Sequence, residues 1–586
     1  MKRTKILSLA AAAIALTFAA CTKEAATPDG GPSFSGDTAY AKVAISMPTR
    51  AEAGWDTFDP GTYAEAHIHN LAILLYDDAK NLVGSGTSSD FTTAEDGRTD
   101  NGGISDTHTG TIVKIMLEPG TAQPTQLFAF VNTNVTYNTV DEAREALTGE
   151  IGSTDKGFVM TNAGYKGTAW TDAVTISTAN LFNTIAEAEA ATPVVINVER
   201  LAAKATVKLS DAVKTGENSE ALRTADYTFV DVNNKEYEIV FEAKKWSVTG
   251  LADEMYVLKK EFTESESWMN DANRSYWATG KYYDYSYTQF VNDGLLTYLK
   301  ASEFIQNDGA EMRNFTDATD PRYVTEHTFG PKAYEGYVEE ESEGAIAANM
   351  TATSAIIAGK YTVKGVSEGA DATKFAGTNE GDTDFYIAMK GADNGKNSFW
   401  IYSKEDLIKK LLALDGYTET NLSTTTGTTT AIDKYTDYFD VDKDDDDKYH
   451  VIAAKDAETV YVVADNAYTE LNFDDLDATS AAKHYYNGWA YFFAPIKHKY
   501  VEATPNAVGA YGVVRNHSYE LTINSINGLG APLDEGKIGS DPENPTEEDP
   551  NPDEPIEPNP DDLKDAYINA TLNVLSWHVV SQGVDL

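Results

Sequence analysis

The stretch Tyr567-Ile-Asn-Ala-Thr-Leu-Asn-Val574, continued by Leu575-Ser-Trp-His-Val579, decides how this chain is interpreted. Apolar and polar residues alternate up to Val574, which is the two-residue period of a half-buried β-strand. The alternation then shifts by one residue, and such a shift predicts a β-bulge or two short strands end to end. The predicted apolar face consists of Ile568, Ala570, Leu572, Val574, Leu575, Trp577 and Val579.

An arm rich in proline and acidic residues, 540–562, precedes this strand. Its composition predicts an extended, hydrated segment that forms no core of its own. Burying the apolar side chains of the terminal strand contributes about 1.5–3 kcal/mol each, whereas ordering about twenty residues costs roughly 20–40 kcal/mol. Hydrogen bonds between the backbone of this strand and its neighbours must supply the remaining stabilisation. The strand is therefore predicted to insert into a gap in a sheet, which need not belong to the same molecule.

The composition of the whole chain favours β structure and excludes one class of partner. Its 586 residues allow several domains, and aromatic residues, including 33 Tyr, make up 11%. The net charge of −46 argues against binding to nucleic acid, whose phosphates require a basic surface. We expect an all-β, mainly antiparallel protein with two sandwich-like domains, at 51–212 and 213–535, followed by the arm and terminal strand at 536–586.

The N-terminus has the features of an export signal. Lys2 and Arg3 precede an apolar segment, 6–18, that is too short for a lasting membrane anchor. Ala19-Ala20-Cys21 follows and resembles the lipobox of bacterial lipoproteins, although Phe18 stands where that motif usually carries Leu. Residues 1–21 are thus predicted to be a signal peptide with lipidation at Cys21, the alternative being an ordinary signal peptide. Because Cys21 is the one cysteine, we expect no disulfides.

The segment 22–50 is predicted to be a polar tether followed by a short strand, Tyr40–Met47. On one face of this strand lie Ala41, Val43, Ile45 and Met47. Pro48-Thr-Arg50 ends it and Ala51 follows, so that Arg50 lies in a loop accessible to a trypsin-like protease.

Two further patterns bear on function. His67-Ile-His-Asn-Leu-Ala-Ile-Leu-Leu-Tyr76, with a turn at 77–80, predicts a hairpin, and its two His lack a nearby third metal ligand. Carboxylates at alternate positions resemble the start of a calcium loop, but Asp445 and Val451 replace the required Gly and Glu, which favours a hydrated surface loop. These carboxylates are Asp440, Asp442, Asp444 and Asp446. No catalytic motif is found, so neither an enzyme nor a cofactor is expected.

Short segments resemble the fimbrillins, the subunits of type V pili. They are Val198-Glu-Arg-Leu-Ala-Ala-Lys-Ala205, Tyr511-Gly-Val-Val-Arg-Asn-His-Ser-Tyr519 and the closing 574–582. The order of lipobox, strand, arginine, two β domains and terminal strand is also similar. The last two segments resemble the Mfa-type stalk subunit more closely than the FimA type, whereas 250–480 resembles nothing identified.

The resemblance implies a mode of assembly. The precursor would be an outer-membrane lipoprotein, attached to the membrane only by its lipid, in which the strand 40–47 plugs a groove of the N-terminal domain. An Arg-specific protease would cut between Arg50 and Ala51 and expose the groove. The terminal strand of a neighbouring copy would fill it, and repetition would build a head-to-tail homopolymer in extracellular fimbriae. Accessory anchor and tip subunits would be further partners, and the surface receptor for adhesion is not indicated.

Two alternatives remain open at this point. One is an outer-membrane lipoprotein that binds glycans through aromatic loops. The other is a tip or anchor subunit of the same pilus. A tip subunit needs no donor tail and an anchor should lack the cleavage site, so the tail at 566–586 and Arg50 argue against these two roles.

Overall fold

The structure is a computed structural model. It describes residues 37–46, 58–59, 61–89, 110–163, 165–166, 170–211, 227–260, 277–300, 303, 312–315, 320–334, 352–378, 380–393, 396–414, 439–443, 449–454, 460–464, 467–471, 483–499, 507–532, 556 and 566–577.

Short strands dominate the first third of the chain. They are β1 (Thr38–Ser46), β2 (Phe58–Asp59), β3 (Leu71–Tyr76), β4 (Leu82–Ser88), β5 (Thr111–Leu117), β6 (Gln126–Val131), β7 (Leu147–Thr148), β8 (Gly152–Ser153), β9 (Gly157–Phe158), β10 (Met160–Asn162), β11 (Tyr165–Lys166), β12 (Trp170–Thr171), β13 (Val174–Thr175), β14 (Val194–Arg200) and β15 (Ala203–Leu209).

The later strands include several of nine residues or more. They are β16 (Tyr227–Val230), β17 (Glu236–Thr249), β18 (Leu251–Ala252), β19 (Met255–Tyr256), β20 (Leu296–Thr297), β21 (Arg313–Asn314), β22 (Arg322–Val324), β23 (Ser354–Gly365), β24 (Phe385–Asp393), β25 (Lys396–Tyr402), β26 (Phe439–Lys443), β27 (Tyr449–Ala454), β28 (Val460–Ala464), β29 (Ala467–Leu471), β30 (Lys483–Tyr485), β31 (Trp489–Pro495), β32 (His517–Gly528), β33 (Ala531–Pro532) and β34 (Ala566–Trp577).

The helices are short and lie between strands. They are α1 (Tyr63–Ala66), α2 (Val140–Glu145), α3 (Ile185–Glu189), α4 (Tyr287–Asp293) and α5 (Lys404–Leu414), with 3₁₀ turns at Thr178–Asn180, Pro331–Tyr334, Ala372–Phe375 and Tyr486–Gly488. Most pairings between strands are antiparallel. The predicted all-β fold class is confirmed.

The first sheet closes on itself. Its strands follow the order β10-β14-β1-β5-β4-β3-β6, and β6 pairs again with β10. The inward-facing side chains of these strands form one buried core. The predicted hairpin is present as β3 and β4, whose turn is closed by Asp77: its backbone oxygen accepts from the Lys80 amide at 2.9 Å and its carboxylate from the Asn81 amide at 2.9 Å.

The second part of the chain packs a sheet of five strands against a sheet of nine. The order in the former is β2-β34-β32-β15-β22, and in the latter β30-β24-β25-β16-β17-β23-β31-β33 with β21 beside β17. Buried residues of both sheets share one core, for example Leu521 of β32 and Ile357 of β23. This arrangement is a sandwich of two sheets.

The strand partners change from the first sheet to the second between β14 and β15, and the domain boundary predicted after residue 212 stays a prediction. β14 pairs in the closed sheet, but β15, only three residues further on, already pairs with β32 and β22. Because β15 runs parallel to a strand some 300 residues later in sequence, a composition-based boundary has no local signal for it. β2, from the first part of the chain, likewise lies in the five-stranded sheet.

Candidate strand-exchange site

β1 occupies a position that closes the first sheet. Along its second half it runs parallel to β14, with Val43 opposite Val194 and Ser46 opposite Asn197. Along its first half and up to Val43 it runs antiparallel to β5, from Thr38 opposite Met116 to Val43 opposite Thr111. It therefore bridges β14 and β5.

The inner face of β1 is part of the core. Ala39, Ala41, Val43 and Ile45 are almost completely buried, between 0 and 2% exposed. Val43 and Ile45 contribute about 1.5–3 kcal/mol each through burial, and the backbone adds hydrogen bonds along both edges. Ala39 belongs to this face although the sequence pattern began at Ala41. β1 is thus bound as a core strand.

Residues 182–189 cross the outer face and edge of β1. The backbones of Tyr40 and Phe182 exchange two hydrogen bonds, at 2.8 and 2.9 Å. The Lys42 ammonium donates to the Glu189 carbonyl at the end of α3, at 3.0 Å. Since β1 is held on both edges and both faces, an opening of this position exposes two strand edges at once, on β5 and on β14.

Several residues named from the sequence lie outside the described residues. They are Cys21, Met47, Arg50, Ala51, Val579, Asp444 and Asp446. β1 ends four residues before Arg50, and the described chain resumes at Phe58. The cut between Arg50 and Ala51, the lipid on Cys21 and the role of Met47 in the plug stay predictions.

The terminal strand forms one continuous strand, β34, on the five-stranded sheet of its own molecule. It pairs antiparallel with β32 from Ala566 opposite Gly528 to Ser576 opposite His517. The predicted irregularity after Val574 is wrong, because Val574 and Leu575 lie opposite Tyr519 and Ser518 in regular register. The bulge lies instead in the partner strand, between Ile523 and Ser525.

The other edge of β34 is paired only at its end, as far as the described residues show. There Phe58 and Asp59 of β2 run parallel to Ser576 and Trp577. From Ala566 to Leu575, the described residues pair with β34 along one edge, that of β32. A strand held on one edge has fewer backbone hydrogen bonds to lose than one inserted between two neighbours.

A buried cluster of charges fixes the segment that follows β1. The Lys204 ammonium lies 2.8 Å from a carboxylate oxygen of Asp59 and 2.9 Å from one of Glu65. The Tyr323 hydroxyl donates to Glu65 at 2.7 Å, and Arg200 donates to the Glu65 carbonyl at 2.8 Å. The cluster attaches residues 59–65 to β14 and β15.

This cluster gives a structural role to the segment Val198–Ala205, which the sequence had marked only by resemblance. Besides Lys204, it supplies Arg200, whose guanidinium also donates to the side-chain oxygen of Asn516 at 3.3 Å. Glu199 lies 3.6 Å from the Lys259 ammonium, and both side chains are buried. The segment thus joins the closed sheet to the sandwich through buried charges, whose partners come from distant parts of the chain and cannot be found by spacing.

Two effects oppose each other in the ionisation of Asp59. Burial alone would raise the pKa of its carboxyl group, but the Lys204 ammonium and the hydrogen bond from the Gly61 amide together hold the pKa below its ordinary value. Asp59 is thus charged in the folded protein at neutral pH.

Lys204→Met is expected to destabilise the protein by about 3–5 kcal/mol, because it leaves two carboxylates buried without their shared cation. Urea unfolding at pH 7 measures this loss. Lys208→Met is the matched control, since Lys208 is exposed on the same strand, and should change the free energy of unfolding by less than about 0.5 kcal/mol. Equal effects of both substitutions would contradict a special role for Lys204.

The ion pair between Lys204 and Asp59 also predicts how the stability of the protein depends on pH. A carboxyl group whose pKa is lowered by folding stabilises the protein above its unfolded pKa of about 3.9, and this stabilisation is lost as the pH falls through the lower folded value. The wild type should therefore lose stability relative to Lys204→Met as the pH is lowered below about 4. Parallel unfolding curves of the two proteins across this range would contradict the assignment.

The other site candidates gain no support. Asp440 and Asp442 lie in β26, paired with β27, rather than in a loop. His67 and His69 stack on each other with ring centroids 4.2 Å apart. Within the described part of the chain no group of three His, Cys, Asp or Glu is placed to hold a metal ion, and no helix there is long and apolar enough to span a membrane.

The sequence did not predict that Ile556, in the arm at 540–562, is buried. Ile556 is 3% exposed and packs in an apolar cluster, and its amide donates to the Leu299 carbonyl at 2.8 Å. The available signal was that Ile556 is the one aliphatic residue among the prolines and polar residues of 540–562. The arm is thus docked at this point, which its composition did not predict.

Together these features define a class of protein. It is an all-β chain in which a strand near the N-terminus completes a closed sheet, while a strand near the C-terminus lies on a sandwich with most of one edge unpaired by described residues.

The comparison with families then identifies the last part of the chain. Residues 483–583 match the model described as "Major fimbrial subunit protein type IV, Fimbrillin, C-terminal". The matched region contains β30–β34, including the terminal strand. It confirms the resemblance to fimbrillins for this part of the chain. No curated protein gives a significant match to the chain.

Solved structures with distant similarity include three fimbrial proteins. A fimbrilin, FimA, from Porphyromonas gingivalis is 13% identical, with 93% of this chain and 98% of that chain covered and a TM-score of 0.32. A fimbrial assembly protein from Parabacteroides distasonis is 11% identical (63% and 97% covered, TM-score 0.23). The tip fimbrial protein Mfa3 from Porphyromonas gingivalis is 12% identical (62% and 99%, 0.24). These TM-scores are too low to support conclusions about function.

Proposed function

We propose that this chain is a stalk subunit of a bacterial surface fimbrium, of the Mfa type, that is exported as a lipoprotein and polymerises by strand exchange. The observation that carries the proposal is the position of β1. It is a core strand between β14 and β5, yet it lies N-terminal to Arg50, where one cut would separate it from the rest of the chain.

The cut would change how β1 is held. Before it, β1 is tethered to its own gap, and a short tether gives an effective concentration in the millimolar range. After it, β1 is a separate peptide bound only by noncovalent contacts. The terminal strand of a second copy then competes at its own concentration, and the lipid on Cys21 leaves with the released fragment.

The donor would be the strand Ile568–Val579. β34 spans Ala566–Trp577, which is long enough to cover the length of β1, Thr38–Ser46. Its alternating apolar residues suit a position in which one face is buried. In the unassembled subunit it rests on β32, so that assembly exchanges this one-edged pairing for insertion between β5 and β14 of the next copy.

Because donor and acceptor are different surfaces, the contact does not close on itself and builds a filament. Anchor and tip subunits of the same fimbrium would terminate it. An Arg-specific protease is the processing partner, and adhesion is the role of the finished surface filament.

A peptide with the sequence of residues 566–579 tests this exchange. Added in excess to cut subunits, it should occupy the gap and stop filament growth. The same peptide carrying Leu572→Asp is the control and should leave growth unchanged. Filaments of normal length and yield in the presence of the unmodified peptide would contradict the proposal.

A further inference from the structure

Ile556 is docked on the sandwich face that lies opposite the terminal strand. Successive residues of β23 show this: Ala355 and Ile357 belong to the core between the two sheets, whereas Ile356 and Ala358 belong to the cluster that contains Ile556. The cluster therefore covers the outer face of the nine-stranded sheet. β34 lies in the five-stranded sheet on the other side of the core.

The docking site is apolar and formed by strands of the sandwich. Tyr491 and Phe493 of β31 line it together with Leu299 and Met312. Burial of an isoleucine side chain contributes about 1.5–3 kcal/mol, and the hydrogen bond to the Leu299 carbonyl adds to it. Proline on both sides, Pro555 and Pro558, reduces the conformational freedom that the arm loses on docking.

Among the described residues, none that holds Ile556 pairs with β34 through its backbone. β34 pairs with β32 and β2 and also lies close to β31, whereas Ile556 is held by the segment at Leu299 and by the outer face of β23 and β31. Separation of β34 from β32 therefore breaks no backbone pairing that holds Ile556. The described contacts of Ile556 and the strand pairing of β34 are thus different.

The docking determines how far the terminal strand can move away. β34 begins ten residues after Ile556, and a fully extended chain of that length spans at most about 35 Å. Measured instead from Pro532 of β33, the last described residue before Ile556, the chain to Ala566 is 34 residues long and could span up to about 120 Å. The upper limit on the reach set by the docked Ile556 is thus more than threefold shorter.

We propose that Ile556 stays docked when the terminal strand leaves its own sheet, and that it is the positioning residue that fixes the distance between successive subunits of the filament. The partner is a second copy of this chain, so the inference rests on the proposed strand exchange. The gap that receives the strand must then lie within about 35 Å of the docked Ile556 of the neighbour.

A reversible lock provides the test. Leu299→Cys combined with Ile556→Cys places two cysteines at the docking point, and Cys21 lies outside the processed subunit, so the engineered pair has no competitor. The disulfide should form in the monomer. The locked subunit should polymerise with the wild-type yield and the wild-type axial repeat in electron micrographs. Polymerisation that occurs only after reduction would overturn the inference.

Ile556→Asp provides the opposite perturbation, with Ile556→Val as the conservative control. The Asp variant should keep the unfolding midpoint of the sandwich and still form filaments, but with an irregular axial repeat and several-fold greater bending. The Val variant should restore the regular repeat. Regular filaments from the Asp variant would overturn the role of Ile556, whereas failure of the wild type to polymerise would instead refute the strand exchange.

Discussion

Arg50→Ala is expected to yield an uncut, lipid-anchored monomer and no detectable filaments. With β1 still tethered to its gap at a millimolar effective concentration, a donor strand at micromolar subunit concentration faces about a thousandfold disadvantage. The measurement is the molecular mass of the purified protein, together with electron microscopy of the cell surface. This is the largest single effect that the account predicts, because one side chain decides between monomer and polymer.

Two controls distinguish the effect of losing the proteolytic cut from the effect of replacing an arginine side chain. Arg98→Ala removes another arginine from the same part of the chain and should leave processing and filaments unchanged. In the Arg50→Ala variant, a recognition site for an unrelated protease inserted directly before Ala51 should restore filaments when that protease is added. Filaments formed by uncut Arg50→Ala protein would refute the role of β1 as a plug.

Leu572→Asp is expected to give subunits that are processed normally but do not polymerise. An inserted strand would carry this residue into an apolar gap, and burying an unpaired carboxylate costs several kcal/mol. Since each 1.4 kcal/mol is a factor of ten in affinity, the loss should exceed a hundredfold. Sedimentation of cut subunits, compared with the wild type, measures the loss.

Asn569→Asp is the matched control for Leu572→Asp. It places the same charge on the same strand, at a position that the alternation assigns to the polar face. The control should polymerise nearly as well as the wild type. If both variants polymerised equally, whether well or poorly, the proposed burial of one face of the donor strand would be wrong.

The state of the terminal strand in the monomer bears on this comparison. Leu572 lies opposite Leu521, a buried residue of β32, in the pairing of β34 with its own sheet. A substitution that weakened this pairing would by itself favour exchange. A loss of polymerisation in Leu572→Asp would therefore report on the gap of the neighbouring copy and not on release of the strand.

Local patterns predicted the individual strands well. The period of two in residues 41–45 marks a strand whose inner side chains are buried, and the turn at 77–80 marks the β3–β4 hairpin. These features depend on neighbours in the sequence. The predicted bulge after Val574 was wrong: β34 pairs in regular register there, and the bulge of this strand pair lies in β32, between Ile523 and Ser525, opposite Ala570 and Asn569. The shift in the alternation therefore marks no break in the strand but places positions 575 and 577 out of phase with 572 and 574.

Long-range pairings could not be derived in the same way. The parallel pairing of β15 with β32 joins residues about 300 positions apart, and it places Lys204 next to Asp59 and Glu65. A lysine on a strand gives no sign of a buried partner elsewhere. For Ile556, in contrast to Lys204, the sequence does contain a signal. It is a single aliphatic residue in an acidic, proline-rich arm, and such a residue indicates a point of attachment.

Digestion of the purified precursor with an Arg-specific protease tests whether a cut at Arg50 releases β1 and allows strand exchange between subunits. The new N-terminus is sequenced, and the product is run on an SDS gel without heating. Strand exchange after a cut at Arg50 predicts Ala51 at the new terminus and a ladder of species that collapses to one band on heating, because strand-exchanged subunits are held without covalent bonds. Absence of a cut at Arg50, or a cut that yields only monomer, would contradict it.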